Sequence, residues 1–423
     1  MKRKLKVISL TMILALSLVG CSSKKEEQKS GIGGTIKVVT DRTDAEVLFE
    51  QIEKDFIAKY PDVEDVVWES SADYDTYIST RMNTKDYGDV FFVPFSMSGN
   101  PSDYHNYLEP LGKVDELEKE YIDVTEADYD GIAYGLPAAV NSLGIVYNED
   151  VLKEAGIDKV PNNTEDFIKV CELIKEKTGA IPFYTNYQRT AVWGGALTSF
   201  GGEQYRSEML EAGTAFKDGQ PIREVMDLHY NLTSKGLTEK DPITADQAKA
   251  QQMLADGEIA MIMRGSQDVP AIQSLTKENT IKIAPFPVEL NGKTSLALGS
   301  PAVVGINKNT SNLETARAFL DFFISGESGY ANDLDGMTAK KADFTNEQKE
   351  LIDNNNVILT VPTETPETEA KYSAIANQVG VARLNDVLQK VINIGLYPNQ
   401  NESYEDYIKS LENNWSKAVK DNE

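Results

Sequence analysis

Asp41 and Arg42 stand directly after a short β-branched run, Thr35 to Thr40, and Ser96 stands just past a nearly all-apolar run, Asp89 to Pro94. If those runs are strands of an open α/β sheet, their carboxyl ends are where such a sheet places ligands. A carboxylate accepts two hydroxyl hydrogen bonds and a guanidinium donates several, which suits the vicinal hydroxyls of a sugar. Asp41 or Asp44 would equally serve as the cap of the next helix, and the two roles are compatible. Trp193, followed by Gly194 and Gly195, offers an aromatic face that can stack on the apolar face of a pyranose. A ring of that size is by default a core residue, so both readings of Trp193 stay open.

Other chemistries find little support. Two histidines and two cysteines cannot assemble a zinc-type cluster, and no EF-hand spacing occurs, so neither a metal nor a cofactor is expected. Sixty-seven acidic residues make carboxylate pairs uninformative about glycoside hydrolysis, and no Gly-x-Ser-x-Gly elbow accompanies them. The formal net charge of −25 repels phosphate backbones, which argues against a nucleic-acid partner. Cys171, inside a helical run from Thr164 to Lys177, reads as a small buried apolar residue.

The elements that must position these residues alternate. Thr35 to Thr40 predicts a strand. Asp44 to Tyr60 predicts an amphipathic helix with Leu48, Ile52 and Phe56 on its apolar face and Pro61 as its stop. A strand near Val66 to Glu69, a helix around Tyr74 to Met82 and a strand over Asp89 to Pro94 complete a doubly wound start. Gly135-Leu136-Pro137 reads as a breaker, after which a strand over Ser142 to Tyr147 and a helix over Glu149 to Ala155 begin a second α/β unit, with Gly156 at the helix end. Helices then dominate (Ile222 to Leu232, Thr244 to Ala255). Strands are expected at Ile259 to Met263, Ile281 to Pro287 and Ala302 to Ile306, and a helix at Leu313 to Phe323. Near the carboxyl terminus Tyr404, Ile408, Leu411, Trp415 and Val419 form one helical stripe. A length of 423 residues suits two lobes better than one core.

The amino terminus carries an address. Lys2, Arg3, Lys4 and Lys6 form a positive n-region, and Leu5 to Val19 supply a short apolar stretch, as in a secretory signal. Leu18-Val19-Gly20-Cys21 is similar to a bacterial lipobox, so residues 1–20 are expected to be a signal peptide and Cys21 the lipidated residue. Residues 21–34, polar and glycine-containing, read as a flexible tether.

Three strings carry a family resemblance. Tyr134-Gly-Leu-Pro-Ala-Ala-Val-Asn-Ser-Leu-Gly-Ile-Val-Tyr-Asn148 is similar to a crossover between two lobes. Asn148 to Gly156, then Pro161 and Thr164 to Phe167, resembles the run that follows it. Met253-Leu-Ala-Asp-Gly-Glu-Ile-Ala-Met-Ile-Met-Arg-Gly-Ser266 resembles a third signature. In this order they resemble the bacterial extracellular solute-binding protein family 1, which includes the maltose-binding-protein-like receptors of ABC importers. The resemblance implies a two-lobed, periplasmic-binding-protein-like α/β fold, each lobe a mainly parallel sheet flanked by helices, with a hinge between them. It places residues 35–139 plus 285–330 in an N-terminal lobe and 140–284 plus 331–423 in a C-terminal lobe.

The resemblance also adds site residues. Asn141 matches a position where family members place a polar ligand contact. Gln267, flanked by Arg264 and Asp268, stands where many members carry an aromatic that stacks on sugar, which shifts expectation toward a small, polar or anionic ligand. The implied protein is a monomeric, lipid-anchored receptor on the outer face of the membrane. It would capture a mono- or oligosaccharide or a sugar acid and pass it to permease subunits, without catalysis. The alternatives are a receptor for a polyamine-like solute or for a sensor kinase, and, less favoured, a secreted glycosidase.

Overall fold

The computed structural model describes residues 31–422 apart from 99, 245, 355, 356, 362 and 401. The signal segment and Cys21 therefore lie outside the described residues.

Strand β1 (Gly34–Thr40) lies between two parallel neighbours, β2 (Val63–Ser70) and β3 (Val90–Phe92). β3 is wholly buried, as an apolar strand covered on both faces should be. Helix α1 (Glu46–Lys59) packs Phe49, Ile52 and Phe56 inward, with Phe56 edge-on to Phe319 and Phe49 stacked on Trp68. Its apolar stripe is thus rotated slightly from the expected one, and Leu48 is only partly buried. Helix α2 (Tyr74–Met82) follows β2, as its pattern predicts.

Two strands of 14 residues run through the middle of the molecule: a first crossing strand, Gly135–Asn148, and a second, Lys293–Ile306. They pair antiparallel with each other, and the second pairs antiparallel with β3. Gly135-Leu136-Pro137 is not a breaker here. Pro137 lies where the crossing strand forms the sheet's margin, paired only with the second crossing strand, and a margin tolerates a residue without an N–H. The far half of the first crossing strand pairs with Ile259–Gly265 on one side and Ile281–Ala284 on the other; Ile181–Tyr184 runs parallel beyond. The resulting ten-stranded sheet is mixed, because one parallel unit joins the second crossing strand and the other the first, both antiparallel.

Burial divides the molecule into two lobes. One core gathers Ile36, Phe56, Phe91, Leu136, Ala138, Val304, Phe319 and Ala339. The other gathers Ile145, Phe167, Cys171, Phe183, Trp193, Phe286, Leu388 and Trp415. The first crossing strand contributes to both. Tyr404, Ile408, Leu411, Trp415 and Val419 are all buried along Tyr404–Asp421, as their stripe predicts. Burial also pushes the Cys171 thiol well up, as an inert core cysteine should be.

Between the cores sits a small cluster of Ile122, Val140, Leu298, Met337 and Phe344. The register of the second crossing strand shifts between Gly299 and Ala302. A third passage of chain joins there, where Val140 and Met337 exchange backbone hydrogen bonds of 2.9 and 2.7 Å. Gly336 permits that approach: a Cβ on it would meet Asn141 Oδ1 at 2.8 Å. Phe286 packs in the second core and Val304 in the first.

Candidate functional site

A cavity of about 610 Å³ opens at the carboxyl ends of β1, β2 and β3. Asp41 enters it after β1, Asp73 and Asp75 after β2, and Pro94 after β3, while Ser300 to Val303 of the second crossing strand and Tyr104 and Glu126 complete its wall. This is the location the strand-end rule assigns to a ligand.

Local chemistry holds the wall in place. The Tyr74 hydroxyl donates to the Phe92 carbonyl at 2.5 Å and lies 3.3 Å from the Val39 carbonyl, pinning the start of α2 across β1 and β3. Asp73 occupies the N-cap position of α2, yet its side chain makes no capping hydrogen bond, so its carboxylate stays available to the cavity. Partial burial raises the Asp41 carboxyl above its ordinary range, with its own backbone amide and Arg42 working against that rise.

Behind the wall lies Asp123, 6% exposed and held at a φ of 57°. Its Oδ2 accepts a 2.5 Å hydrogen bond from Ser300 Oγ, and its Oδ1 makes no hydrogen bond within the protein. Burial raises the carboxyls of Asp123 and Glu126 toward neutrality, and each ionises less readily beside the other. Glu126 keeps contact with water in the open cavity, which screens the effect there; Asp123 is the better insulated of the two.

The expected residues divide. Asp41 lines the cavity. Arg42 does not; its Nε donates to Asp44 at 2.7 Å, its Nη2 donates to Asp333 at 3.0 Å, and the guanidinium lies 5.9 Å from the Tyr330 ring centre. Those bonds hold the Asp44 side chain and raise the Arg42 pKa, leaving only Nη1 without a partner within the protein. Ser96 is exposed on the short helix Phe95–Ser98 and stands outside the cavity lining. Asn141 sits at the hinge, opposite Gly299, with a buried Oδ1 that makes no hydrogen bond.

Trp193 is corrected to a core residue. It is 1% exposed, with its ring 4.7 Å from His229 and 5.4 Å from Phe286, so no face remains for a ligand. Arg264 is also buried, 3.7 Å from Asp268, and desolvation lowers its pKa. Its Nε and Nη2 make no hydrogen bond within the protein. Gln267 folds back on Gly265, where an added Cβ would lie 2.1 Å from its amide. Neighbouring Ser266 ties the turn to the first crossing strand by accepting from the Ser142 amide at 3.1 Å. Arg264 and Gln267 thus belong to the second lobe and do not line the first-lobe cavity.

Sequence reasoning missed Asp73, Asp75, Glu126 and Ser300. The first two were within reach, since they follow β2 as Asp41 follows β1. Glu126 and Ser300 arrive from a loop and from the crossing strand, and only tertiary structure brings them in.

Residues 41–329 match the family model described as bacterial extracellular solute-binding protein. The chain is 23% identical over 345 residues to the multiple sugar-binding protein of Streptococcus mutans, covering 77% of this chain and 79% of that one. It is 23% identical over 363 residues to the melibiose/raffinose/stachyose-binding protein MelE of Bacillus subtilis, with 80% and 82% covered. Among solved structures, a binding protein of an ABC transporter from Bifidobacterium animalis subsp. lactis, in complex with mannobiose, superposes with a TM-score of 0.66 at 25% identity, covering 92% of this chain and 95% of that one.

Proposed function

We propose, from the premise that the chain belongs to the bacterial extracellular solute-binding protein family, that it captures a small carbohydrate between its lobes and delivers it to the membrane subunits of an ABC importer. The observation that carries this reading is the cavity at the strand ends, walled on one side by the second crossing strand at its register shift. A solute seated there contacts the first lobe and the hinge together, so contacts completed by the second lobe would favour the closed form. The saccharides named for the relatives, melibiose, raffinose, stachyose and mannobiose, support an oligosaccharide of two to four units.

On this reading the protein is a receptor and performs no reaction. Asp41 is the first hydroxyl acceptor of the site, and Asn141 reports on hinge closure. Lipid on Cys21 would hold the receptor near its permease, raising the local concentration. The second lobe comprises about residues 140–299 and 345–422, joined to the first by three passages of chain.

Isothermal titration against mannobiose, raffinose and a panel of neutral and acidic saccharides tests the proposal. Saturable binding with no product on chromatography is expected. A melting-temperature rise should accompany it, worth about 2.7 kcal/mol at a hundredfold excess over Kd. Steady conversion of a saccharide would replace the receptor reading with an enzymatic one.

A further inference from the structure

Resting on the reading of the cavity as the solute site, we infer that Tyr104 sets how the saccharide is oriented there, by donating its hydroxyl proton to an oxygen of the solute. Tyr104 opens the short helix Tyr104–Tyr107, beyond β3, and lines the cavity. The residue is 2% exposed, with its ring centre 6.4 Å from that of Tyr134. Its hydroxyl makes no hydrogen bond among the described residues and keeps access to solvent. Polar atoms of well-packed side chains ordinarily have a partner. Here the ring is buried and the hydroxyl at its tip borders the cavity with its bonding capacity unspent.

The supply of donors in the cavity is narrow. Among the described residues that line it, none is a lysine, arginine, asparagine or glutamine, and three carry a hydroxyl. Tyr74 gives its proton to the Phe92 carbonyl at 2.5 Å, and Ser300 gives its proton to Asp123 at 2.5 Å. Tyr104 is left as the one side-chain donor not committed inside the protein. Burial, with Glu126 and Asp128 adding to it, pushes its pKa up to about 12, so the proton stays in place at neutral pH.

The carboxylates of Asp41, Asp73, Asp75 and Glu126 can only accept when ionised. A saccharide's hydroxyls can turn their protons toward them, but its ring and glycosidic oxygens carry no proton and need a donor. Enclosed without one, such an oxygen loses its water and gains nothing in return. Tyr104 supplies the donor from a side chain that packing has already fixed, so little freedom is lost on binding.

The test titrates mannobiose, melibiose, raffinose and cellobiose into the whole protein and into Tyr104→Phe. At pH 8 the wall carboxyls are ionised and cannot donate in place of the phenol. The variant should bind the tightest of these saccharides about tenfold or more weaker. Its ligand-free melting temperature should not move, because the lost oxygen bonds to nothing in the protein. Binding to the unmodified protein should also shift tyrosine absorption, as a phenol does on starting to donate, and the variant should lose that shift.

Equal affinity in the variant would overturn the inference and leave the carbohydrate reading standing. Weaker binding with no tyrosine shift in the unmodified protein would also overturn it, tracing the loss to the shape of the ring. Failure of the unmodified protein to bind any of the four would overturn both this inference and the carbohydrate reading beneath it.

Discussion

The two lobes treat their polar strand ends in opposite ways. In the first lobe, Asp41, Asp73 and Asp75 follow β1 and β2 and stay open to the cavity, with little in the protein to occupy them. In the second, the end of Ile181–Tyr184 is closed internally: the Thr185 amide donates to Glu239 at 2.9 Å, and the Thr185 hydroxyl donates to the same carboxylate. Arg264 is drawn inside the lobe as well, 3.7 Å from Asp268, but its Nε and Nη2 stay without a hydrogen-bond partner within the protein. The same topological position is therefore an open acidic wall in one lobe and a partly internally bonded rim in the other. Whether a polar side chain is available depends on what tertiary packing has already given it.

The contrast is broken most severely through Trp193. Trp193→Ala removes a fully buried ring from the second core and should cost about 3–5 kcal/mol in denaturant unfolding, at a temperature where enough protein stays folded to show an unchanged solute Kd. A weakened Kd at full stability would return Trp193 to the site.

Asp41→Asn probes the open wall. It should weaken solute binding by about 1.5–3 kcal/mol, roughly ten- to a hundredfold by calorimetry, while leaving the ligand-free melting temperature nearly unmoved. Loss of stability without loss of affinity would show that Asp41 serves as a helix cap.

Asp123 gives the first lobe a pH-dependent stability of its own. Its raised carboxyl means that the folded state holds a proton that the unfolded state has already released. Stability contributed by that proton is present at acid pH and falls as pH rises from the ordinary carboxylate range toward neutrality, by up to about 1.4 kcal/mol per pH unit. Asp123→Asn should flatten the slope of unfolding free energy against pH in that interval. An unchanged slope would place the titration elsewhere.

The smallest effect belongs to the closed rim. Arg264→Met should alter stability by less than about 1 kcal/mol, because an apolar side chain of similar length replaces a desolvated cation and Asp268 can still reach water. A large fall in solute affinity in this variant would show that Arg264 reaches the solute after closure.

Much of the fold was legible because period and punctuation agreed with it. The β-branched run at Thr35 to Thr40, the stripe ending at Val419 and the helix over Thr164 to Lys177 all form as their patterns predict. The crossing strands were harder to read. Pro137 is a breaker in any local rule, and only its place at a sheet margin reconciles it with a strand. Lys293–Ile306 alternates poorly because one half serves each lobe. At the candidate site, strand ends nominated Asp41, which lines the cavity, whereas Trp193 was chosen by residue type and Gln267 by its place in a family signature, and neither lines it. Asp123 announced itself by nothing local, since its burial and its positive φ are products of the assembled hinge.

The threading of both crossing strands through both lobes also sets the order in which this protein can be finished. The first core includes Val304, Phe319 and Ala339, and the second includes Trp415 and Val419. A chain emerging amino end first cannot seal its leading half until about four-fifths of the polypeptide is out, and the trailing half waits for the last helix. Such a molecule stays pliable until nearly all of its chain is available to pack.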